Sequence, residues 1–447
     1  MNLSRMLRAR AEAGDPVRVG LIGAGKFGSM FLAQVRTTPG MQLLGVADLS
    51  AERARAALAR TGWTDEQVGA RSFDEAYDRG TTCVTQDAAA LIRAPLDVVV
   101  EATGNPEAGI GHALECIRAG THVVMVNVEA DALAGPLLAR RAREAGVVYS
   151  LAYGDQPALI CELVDWARAC GFEVVCAGKG TKYLPHYHQS TPDTVWQHFG
   201  WTAEEVARSG ANAKMFNSFV DGTKSAIEMA AVANATGLLP PSDGLLFPPA
   251  GAEEMQDVLR PEPHGGVLER SGMVEVVASL QRDGSSIERD LRWGVYVVFR
   301  GETEYVRECF SQYGLVVDAS GHYAALYRPY HLIGLEVGIS VASAALRNEP
   351  TGAPVAWLAD VAATAKRDID AGEVLDGEGG YCVWGKLVPA ERSLAEHALP
   401  IGLAHGVRVV RPIAAGSLVT WADVEPHPNA EVVAIRREME ATFRPFA

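Results

Sequence analysis

The chain has 447 residues, 48% of them hydrophobic and 21% charged, with a formal net charge of −15. That length leaves room for two or three domains with cores of their own, and the acidic balance disfavours nucleic acid or an anionic membrane as a partner. No apolar run reaches the ~18 residues of a membrane span, the basic N-terminal stretch lacks an apolar signal core, and seven cysteines without a CxxC spacing read as reduced thiols. A cytoplasmic protein acting on a small molecule is expected.

In chain order, residues 1–16 read as a leading helix that could pair with its copy in a second subunit. Val17 to Ile22 is a short apolar run of the kind buried on both faces of a parallel sheet. It runs into Gly23-Ala24-Gly25-Lys26-Phe27-Gly28, a G-x-G-x-x-G that opens a helical pattern. Gly23 serves a tight turn, Gly25 the close approach of a pyrophosphate, and Gly28 helix–strand packing. The helix start then offers free N–H groups to phosphate. A second strand, Leu43 to Ala47, ends in Asp48, 20 residues after Gly28, where a ribose-binding carboxylate belongs. Asp48 alone favours NAD, whereas Ser50 and Arg53 could accommodate the 2′-phosphate of NADP if Asp48 turns away; the residues leave that choice open.

Residues 61–93 read as an insertion with a helix around Ser72 to Asp78 and a strand-like Thr81 to Thr85. Leu96 to Glu101 is the next buried strand, and Ala102, Thr103 and Gly104 follow at the sheet edge where a nicotinamide ribose rests. His122 to Val128 is a strand carrying Asn127, with Glu129 and Asp131 just beyond; a helix from Pro136 to Ala145 and a strand from Gly146 to Leu151 complete a six-strand doubly wound pattern. Asp155 and Gln156 precede a helix from Pro157 to Cys170. Asp155 reads either as its N-cap or, with Gln156, as a substrate-binding pair beside the nicotinamide.

Phe172 to Gly178 reads as a strand leaving into Lys179-Gly180-Thr181-Lys182, either a cradle for an anionic substrate or a solvated basic loop. His186 and His188 would face one side of a strand, a spacing open to zinc but without a completing ligand. Lys214, Asp221, Lys224 and Glu228 recur at helical spacing before an Ala-rich apolar helix. Asp221 and Lys224 would share one helix face, as a surface pair or as an acid/base pair. Residues 238–265 are rich in Pro and Gly and read as a long loop or cover. Beyond Pro350, Val361 to Ala365 and Val407 to Val410 read as strands of a small β-rich domain.

With these residues in hand, the N-terminal half resembles the homoserine dehydrogenase superfamily. GKGTKYLPHY at 178–187 stands where those enzymes carry Gly-Thr-Thr-Asn-Tyr, and DGTKSAIEMAAVANATGL at 221–238 is similar to their Asp-to-Lys helix. RDIDAGEVLD at 367–376 and PIAAGSLVTWADV at 412–424 resemble an SAF domain, the small module of sialate synthases and antifreeze proteins. The whole order, with GDQPA at 154–158, VMVNVEAD at 124–131 and YRPYHLIGLE at 327–336, resembles the bacterial deoxyxylulose-phosphate-reductoisomerase-like enzymes. The resemblance implies an α/β fold in three parts: a Rossmann domain over 1–151, an α+β catalytic and oligomerisation domain over 152–350, and an SAF-like domain over 355–430. It implies NADP as cofactor, with NAD the alternative.

The expected reaction is NAD(P)H-dependent reduction of a small phosphorylated carbonyl or polyol, specifically 1-deoxyxylulose 5-phosphate to methylerythritol 4-phosphate in isoprenoid synthesis. Lys224, Asp221, Lys182 and Glu129 are its candidate catalytic residues, and Asp155, Gln156, Lys179, Lys182 and Lys214 its candidate substrate ligands. A divalent metal such as magnesium would aid a retro-aldol/aldol step, with Asp155 and Glu129 near it. The cofactor set is Gly23, Gly25, Lys26, Phe27, Gly28, Asp48, Arg53, Ala102, Thr103, Gly104 and Asn127. Val128 stands where homoserine dehydrogenases carry a catalytic lysine, so homoserine itself is disfavoured. The alternatives are a dehydrogenase of another sugar acid, polyol or amino-acid-derived aldehyde, and a non-catalytic protein that binds NAD(P) and carbohydrate. A homodimer or higher homo-oligomer is expected.

Overall fold

The computed structural model describes residues 2–209 and 211–443. The chain folds as two compact units. One runs from the N-terminus to Cys161 and takes in His331–Val355; the other joins Glu162–Tyr330 to the chain from Ala356 onward.

In chain order, α1 (Leu3–Glu12), β1 (Val17–Ile22), α2 (Lys26–Val35), β2 (Met41–Ala47), α3 (Ala51–Arg60), α4 (Phe73–Arg79), β3 (Cys83–Thr85), α5 (Ala88–Ile92), β4 (Val98–Glu101), α6 (Pro106–Ala119), β5 (His122–Met125), α7 (Val128–Glu144) and β6 (Tyr149–Leu151) build the first unit, and α8 (Gln156–Ala169) follows. All six strands pair in parallel, in the order β3-β2-β1-β4-β5-β6. This is the doubly wound α/β arrangement expected, with the order reversing beside β1. Polar side chains cap the starts of several of these helices. The Ser50 hydroxyl accepts the Arg53 N–H at 3.1 Å, and the Asn105 and Asn127 side chains cap α6 and α7.

Two expectations are corrected here. Residues 61–93 are no insertion, because β3 within them is a member of the sheet beside β2. Helix α7 begins at Val128, not Pro136, and carries Pro136 in its interior. The Asn127 cap starts it early, and the helix carries Pro136 at the cost of one backbone hydrogen bond.

The second unit contains β7 (Glu173–Thr181), α9 (Val195–Phe199), α10 (Ala203–Ser209), α11 (Ala213–Val220), α12 (Thr223–Thr236), α13 (Met255–Val258), β8 (Met273–Ala278), β9 (Val295–Arg300), α14 (Glu304–Gln312) and β10 (Tyr323–Arg328). Its four-stranded mixed sheet has the order β10-β9-β7-β8. Next, α15 (Gly338–Arg347) belongs to the first unit and packs on α1, β1, β4 and β5. It covers α1 within the same chain, so the pairing of two leading helices across subunits is not needed to bury Leu7.

The remaining elements, β11 (Ala359–Ala365), β12 (Val374–Asp376), β13 (Val383–Pro389), α16 (Ala390–Ala395), β14 (His405–Arg408) and α17 (Ala430–Thr442), return to the second unit as two small antiparallel pairs, β11 with β13 and β12 with β14. Helix α12 lies against β7 and β8 on one side and β11 and β13 on the other. That explains its Ala-rich sequence without a polar stripe, since a helix covered all round needs none. The Pro/Gly-rich stretch after α12 is tied to the sheet, with Leu239 bridged to Met273 and Pro249 to Ala278. Among the described residues no helix is long and apolar enough to cross a membrane.

Helix α17 was not anticipated from sequence. It delivers Arg436, whose side chain is fully buried, to Asp360 on β11 with contacts of 3.0 and 2.5 Å, and to Glu440 at 2.9 Å. Its guanidinium also lies over Trp357, 4.9 Å from the ring centroid. Breaking a buried pair from one side leaves an uncompensated charge, so Asp360→Ala is expected to cost about 3–5 kcal/mol. Urea denaturation of the variant checks this; a loss below about 1 kcal/mol would show that Arg436 reaches solvent.

Candidate functional site

The first unit gathers four strand ends on one edge, because β2, β1, β4 and β5 are adjacent and parallel. Gly23 leaves β1 with φ +94, and a Cβ there would lie 2.7 Å from the Ala102 carbonyl oxygen. Only glycine meets both demands. At Gly28 a Cβ would come 2.1 Å from the Gly23 oxygen, so this glycine lets α2 start directly against the turn. Gly25 is exposed and differs from both, since a Cβ there would meet no atom within 4 Å. No side chain caps the start of α2. Its first N–H groups and the space over Gly25 thus form a cradle suited to a pyrophosphate. Lys26 is exposed at this edge, while Phe27 packs partly on the core.

Asp48 reaches this turn from β2. One carboxylate oxygen accepts the Ala24 N–H at 2.8 Å; the other accepts Ser50 N–H at 2.9 Å and the Arg53 guanidinium at 3.0 and 2.5 Å. Burial alone would raise its pKa, but the two amides and Arg53 outweigh it and hold the carboxyl below the usual range. Asp48 is almost completely covered, whereas the Arg53 side chain is 58% exposed. The exposed group at the ribose position is therefore a cation.

Ala102, Thr103 and Gly104 follow β4 as expected. Asn127, from the end of β5, donates to Thr103 Oγ1 at 3.3 Å and to the Asn105 carbonyl at 2.8 Å, and its Oδ1 accepts the Ala130 N–H. With both ends of its amide engaged, Asn127 positions the 103–105 turn. Behind it, Thr103 donates to Glu101 at 2.6 Å, and His112 Nδ1 lies 3.2 Å from the same fully buried carboxylate. His112 carried no signal in the sequence. Asp131, one turn into α7, is also fully buried; it accepts from Tyr149 at 2.8 Å, and burial pushes it up to about 7. Glu129 lies half-buried in the first turn of α7. Asp155 and Gln156 are buried at the start of α8, where Asp155 accepts the Gln156 N–H at 2.8 Å and its carbonyl takes the Leu159 N–H.

In the second unit the lysines are not where the sequence suggested. Strand β7 continues to Thr181, so Lys179 lies inside it, buried and ion-paired with Glu228. The Lys182 ammonium donates to the His198 carbonyl, and that of Lys214 to the Asp376 carbonyl. These three do not form a cradle for an anion. The expected Asp221–Lys224 pairing also fails. Gly222 breaks the helix at φ +90, leaving Asp221 at the end of α11 and Lys224 in the first turn of α12. Asp221 is fully buried and pairs with Lys366, at the end of β11, at 2.8 Å. The same ammonium donates to the Ser190 and Gly380 carbonyls at 2.6 and 2.7 Å.

His186 and His188 lie on a 3₁₀ turn, not a strand. His188 Nδ1 is 2.7 Å from the Asp221 carbonyl oxygen and Nε2 is 2.9 Å from Tyr183 Oη. A carbonyl only accepts, so Nδ1 carries the hydrogen and Nε2 accepts from Tyr183. Burial lowers the His188 pKa and raises that of Tyr183 to about 12, which keeps both neutral at pH 7. With both ring nitrogens engaged, His188 has none left for a metal. Among the described residues no group of three or more His, Cys, Asp or Glu side chains is placed to hold a metal ion, Asp155 and Glu129 included.

His188 lines a cavity of about 200 Å³ together with Gly222, Phe247, Asp243, Trp384 and Lys386. Trp384 stacks on His188 with centroids 3.8 Å apart, and Phe247 stacks on Tyr183 at 3.9 Å. Phe247 takes the left-handed conformation, φ +49. Its N–H and that of Leu246 are gripped by Glu275, which is fully buried and pushed up to about 7 by that burial. A strained residue at a cavity wall is a recurrent mark of a working site.

Three segments match known families. Residues 23–151 match the NAD-binding domain of homoserine dehydrogenase, residues 154–337 the catalytic domain of oxidoreductase DRL, and residues 360–425 the SAF domain. The chain is thus similar along most of its length to an NAD(P)-dependent oxidoreductase with an added SAF module. No curated protein matches it significantly. Among solved structures it is similar to biliverdin reductase from Synechocystis sp. PCC 6803, with biliverdin and NADP+ (16% identity, 75% of this chain and 92% of the other, TM-score 0.36). Two others are myo-inositol dehydrogenase from Lactobacillus casei with NAD(H) and myo-inositol (14%, 64% and 72%, 0.33) and a dipicolinate-bound dihydrodipicolinate reductase from Paenisporosarcina sp. TG-14 (12%, 75% and 97%, 0.32).

Because a side chain at Gly25 has open space in the protein but would enter the pyrophosphate cradle, Gly25→Val is expected to leave the melting temperature within about 2 °C. It should weaken NAD(P)H binding at least about tenfold. Thermal melts with fluorescence titration check this; unchanged binding would place the dinucleotide elsewhere.

Proposed function

We propose that the chain is an NADP-dependent reductase of a small phosphorylated carbonyl compound, and that its reaction is the reductive rearrangement of 1-deoxyxylulose 5-phosphate to methylerythritol 4-phosphate. The observation that carries the reductase reading is the uncapped turn over Gly25 beside an Asp48 already neutralised by Arg53. An exposed guanidinium at the ribose position suits a 2′-phosphate, and Ser50 lies beside it. The substrate reading rests on the order of motifs along the chain, from GDQPA at 154 to YRPYHLIGLE at 327. A dehydrogenase of another sugar acid, polyol or aldehyde is the second reading, compatible with the match of residues 23–151 to the NAD-binding domain of homoserine dehydrogenase.

When bound, the nicotinamide supplies a hydride. Reducing a carbonyl then calls for positive charge against the oxygen as it becomes an alkoxide, and for a proton to complete the alcohol. Lys224, in the first turn of α12, is assigned the first role. Tyr183 donates its one hydroxyl hydrogen to His188 Nε2 and so holds that ring in orientation, and the proton that completes the alcohol is drawn from water. Asp221 positions this pair through its carbonyl to His188 and its carboxylate to Lys366, and is not itself the acid.

The test is NADPH and NADH oxidation by the full chain with 1-deoxyxylulose 5-phosphate, with and without magnesium, and with the product identified by mass spectrometry and NMR. Methylerythritol phosphate is the expected product; tight NADPH binding without any turnover of this compound moves the reading to the second substrate class. Arg53→Ala is expected to weaken NADPH about ten- to a hundredfold, the worth of a charge-assisted hydrogen bond, with NADH changed less than about threefold. Equal losses for both cofactors would remove Arg53 from 2′-phosphate recognition. Lys224→Ala is expected to keep NADPH affinity and lower kcat about a hundredfold or more; an unchanged kcat would remove Lys224 from the mechanism.

A further inference from the structure

With Lys179, Lys182 and Lys214 committed to internal acceptors, a phosphorylated substrate needs another cation. The cavity beside His188 holds one. Lys386 lies on β13, and its neighbour Gly385 donates to Thr223 Oγ1 at 2.8 Å, which fixes that strand against α12. The Lys386 side chain is 20% exposed, and its ammonium is bonded to Asp243 Oδ1 at 2.7 Å. The same oxygen accepts Arg392 Nη1 at 2.7 Å, so one carboxylate oxygen serves two cations. Arg392 also donates to the Ser242 carbonyl at 3.0 Å and to Glu396 at 2.7 Å.

The two sides of this contact are unequal. Asp243 is 74% exposed and can swing into water by side-chain rotation alone. The backbone on either side is held independently of it: Ser242 by Glu269 at 3.0 and 2.6 Å, Leu246 and Phe247 by Glu275. Lys386 is the more enclosed of the two. Its stem passes beneath Gly244, where a Cβ would lie 2.9 Å from Lys386 Cε. Gly244, at φ +93, lacks the Cβ that would crowd the lysine stem, and so lets the loop close over it. The rest of the wall is aromatic or neutral, from Trp384, Phe247 and the uncharged His188. When Asp243 rotates out, a cation held in a small, largely apolar cavity is left facing its mouth, with Arg392 beside it.

We infer that Lys386 and Arg392 form a phosphate-monoester subsite in which Asp243 is a resident counter-ion displaced by the substrate. The subsite rests on the reading of the substrate as a phosphorylated carbonyl compound, and it assigns a role to the SAF-like segment, which supplies both cations. A phosphate brings two negative charges and several acceptor oxygens, so it can bond Lys386 and Arg392 at once, where Asp243 offers a single oxygen. The Asp243 carboxylate competes with every incoming anion.

The test titrates the full chain with inorganic phosphate by isothermal calorimetry, with acetate as a monoanion control. Asp243→Asn is expected to tighten phosphate about tenfold, Lys386→Met to weaken it at least tenfold from the Asp243→Asn level in the double variant, and Lys386→Arg to restore most of the loss. Melting temperatures certify that each variant is folded, and NADPH affinity is expected to stay constant throughout. Equal phosphate binding by the wild type and Asp243→Asn, or tight binding retained by the double variant, overturns the subsite. Acetate binding as tightly as phosphate overturns it as well. Sharpened phosphate binding together with no reduction of any phosphorylated carbonyl leaves the subsite standing and removes the reductase reading; turnover without the phosphate response does the reverse.

Discussion

The second unit depends on one buried charge pair, Lys366 with Asp221. Lys366 Nζ has three acceptors within 2.8 Å, the Asp221 carboxylate and the carbonyls of Ser190 and Gly380, which matches the three hydrogens of an ammonium. The other Asp221 oxygen accepts the Thr223 N–H at 2.9 Å and so starts α12. A buried pair with every valence met is tolerable; the same pair missing one partner strands a charge in a low-dielectric interior. Asp221 therefore requires β11, and β11 requires the 190 turn and the 380 loop. His188 takes its orientation from the carbonyl of that same Asp221, so the geometry of the cavity follows from the pairing.

Helix α12 extends the constraint along its length. At its first turn Thr223 accepts from Gly385 on β13. Near its last turn Asn234 accepts the Leu358 and Ala359 N–H groups at 2.7 and 3.0 Å and donates to the Ala359 carbonyl at 3.1 Å. Between these polar ends Ala226, Met229, Ala230 and Ala233 are covered by strands from both sides. The SAF-like segment is thus bonded into the catalytic stretch at both ends of one helix, and Arg436 from α17 closes it from behind. Removing that segment would expose an apolar helix and orphan Asp221.

Most of the fold was legible because its signals are local. Apolar runs marked the strands and the glycine spacing marked the turn after β1; both act over a few residues. The errors fell where a distant partner overrode a local pattern. Strand β7 runs past Gly178 because β8 and β9 pair with it as far as Lys179 and beyond. The Asp221-to-Lys224 spacing looked like a helix face until Gly222 intervened. Lys366 and Trp384 carried no signal, since nothing within their own stretch shows that they meet Asp221 and His188.

The lysines show the same limit in chemical form. A lysine in sequence is a positive charge, but an ammonium buried by the fold must find acceptors, and a backbone carbonyl serves as well as a substrate does. Lys182 and Lys214 end on carbonyls and Lys179 on a carboxylate, so counting basic residues near a strand overstated the charge available to a ligand. Arg53 behaves differently for a geometric reason. Its guanidinium has five donors in a plane, and Asp48 uses two of them through a single oxygen while the side chain stays mostly in water. The clasp neutralises the acid that would repel a 2′-phosphate and leaves donors pointing outward. Asp48 and Arg53 are thus one unit, in which the buried carboxylate holds the guanidinium in place and most of the arginine side chain stays in water.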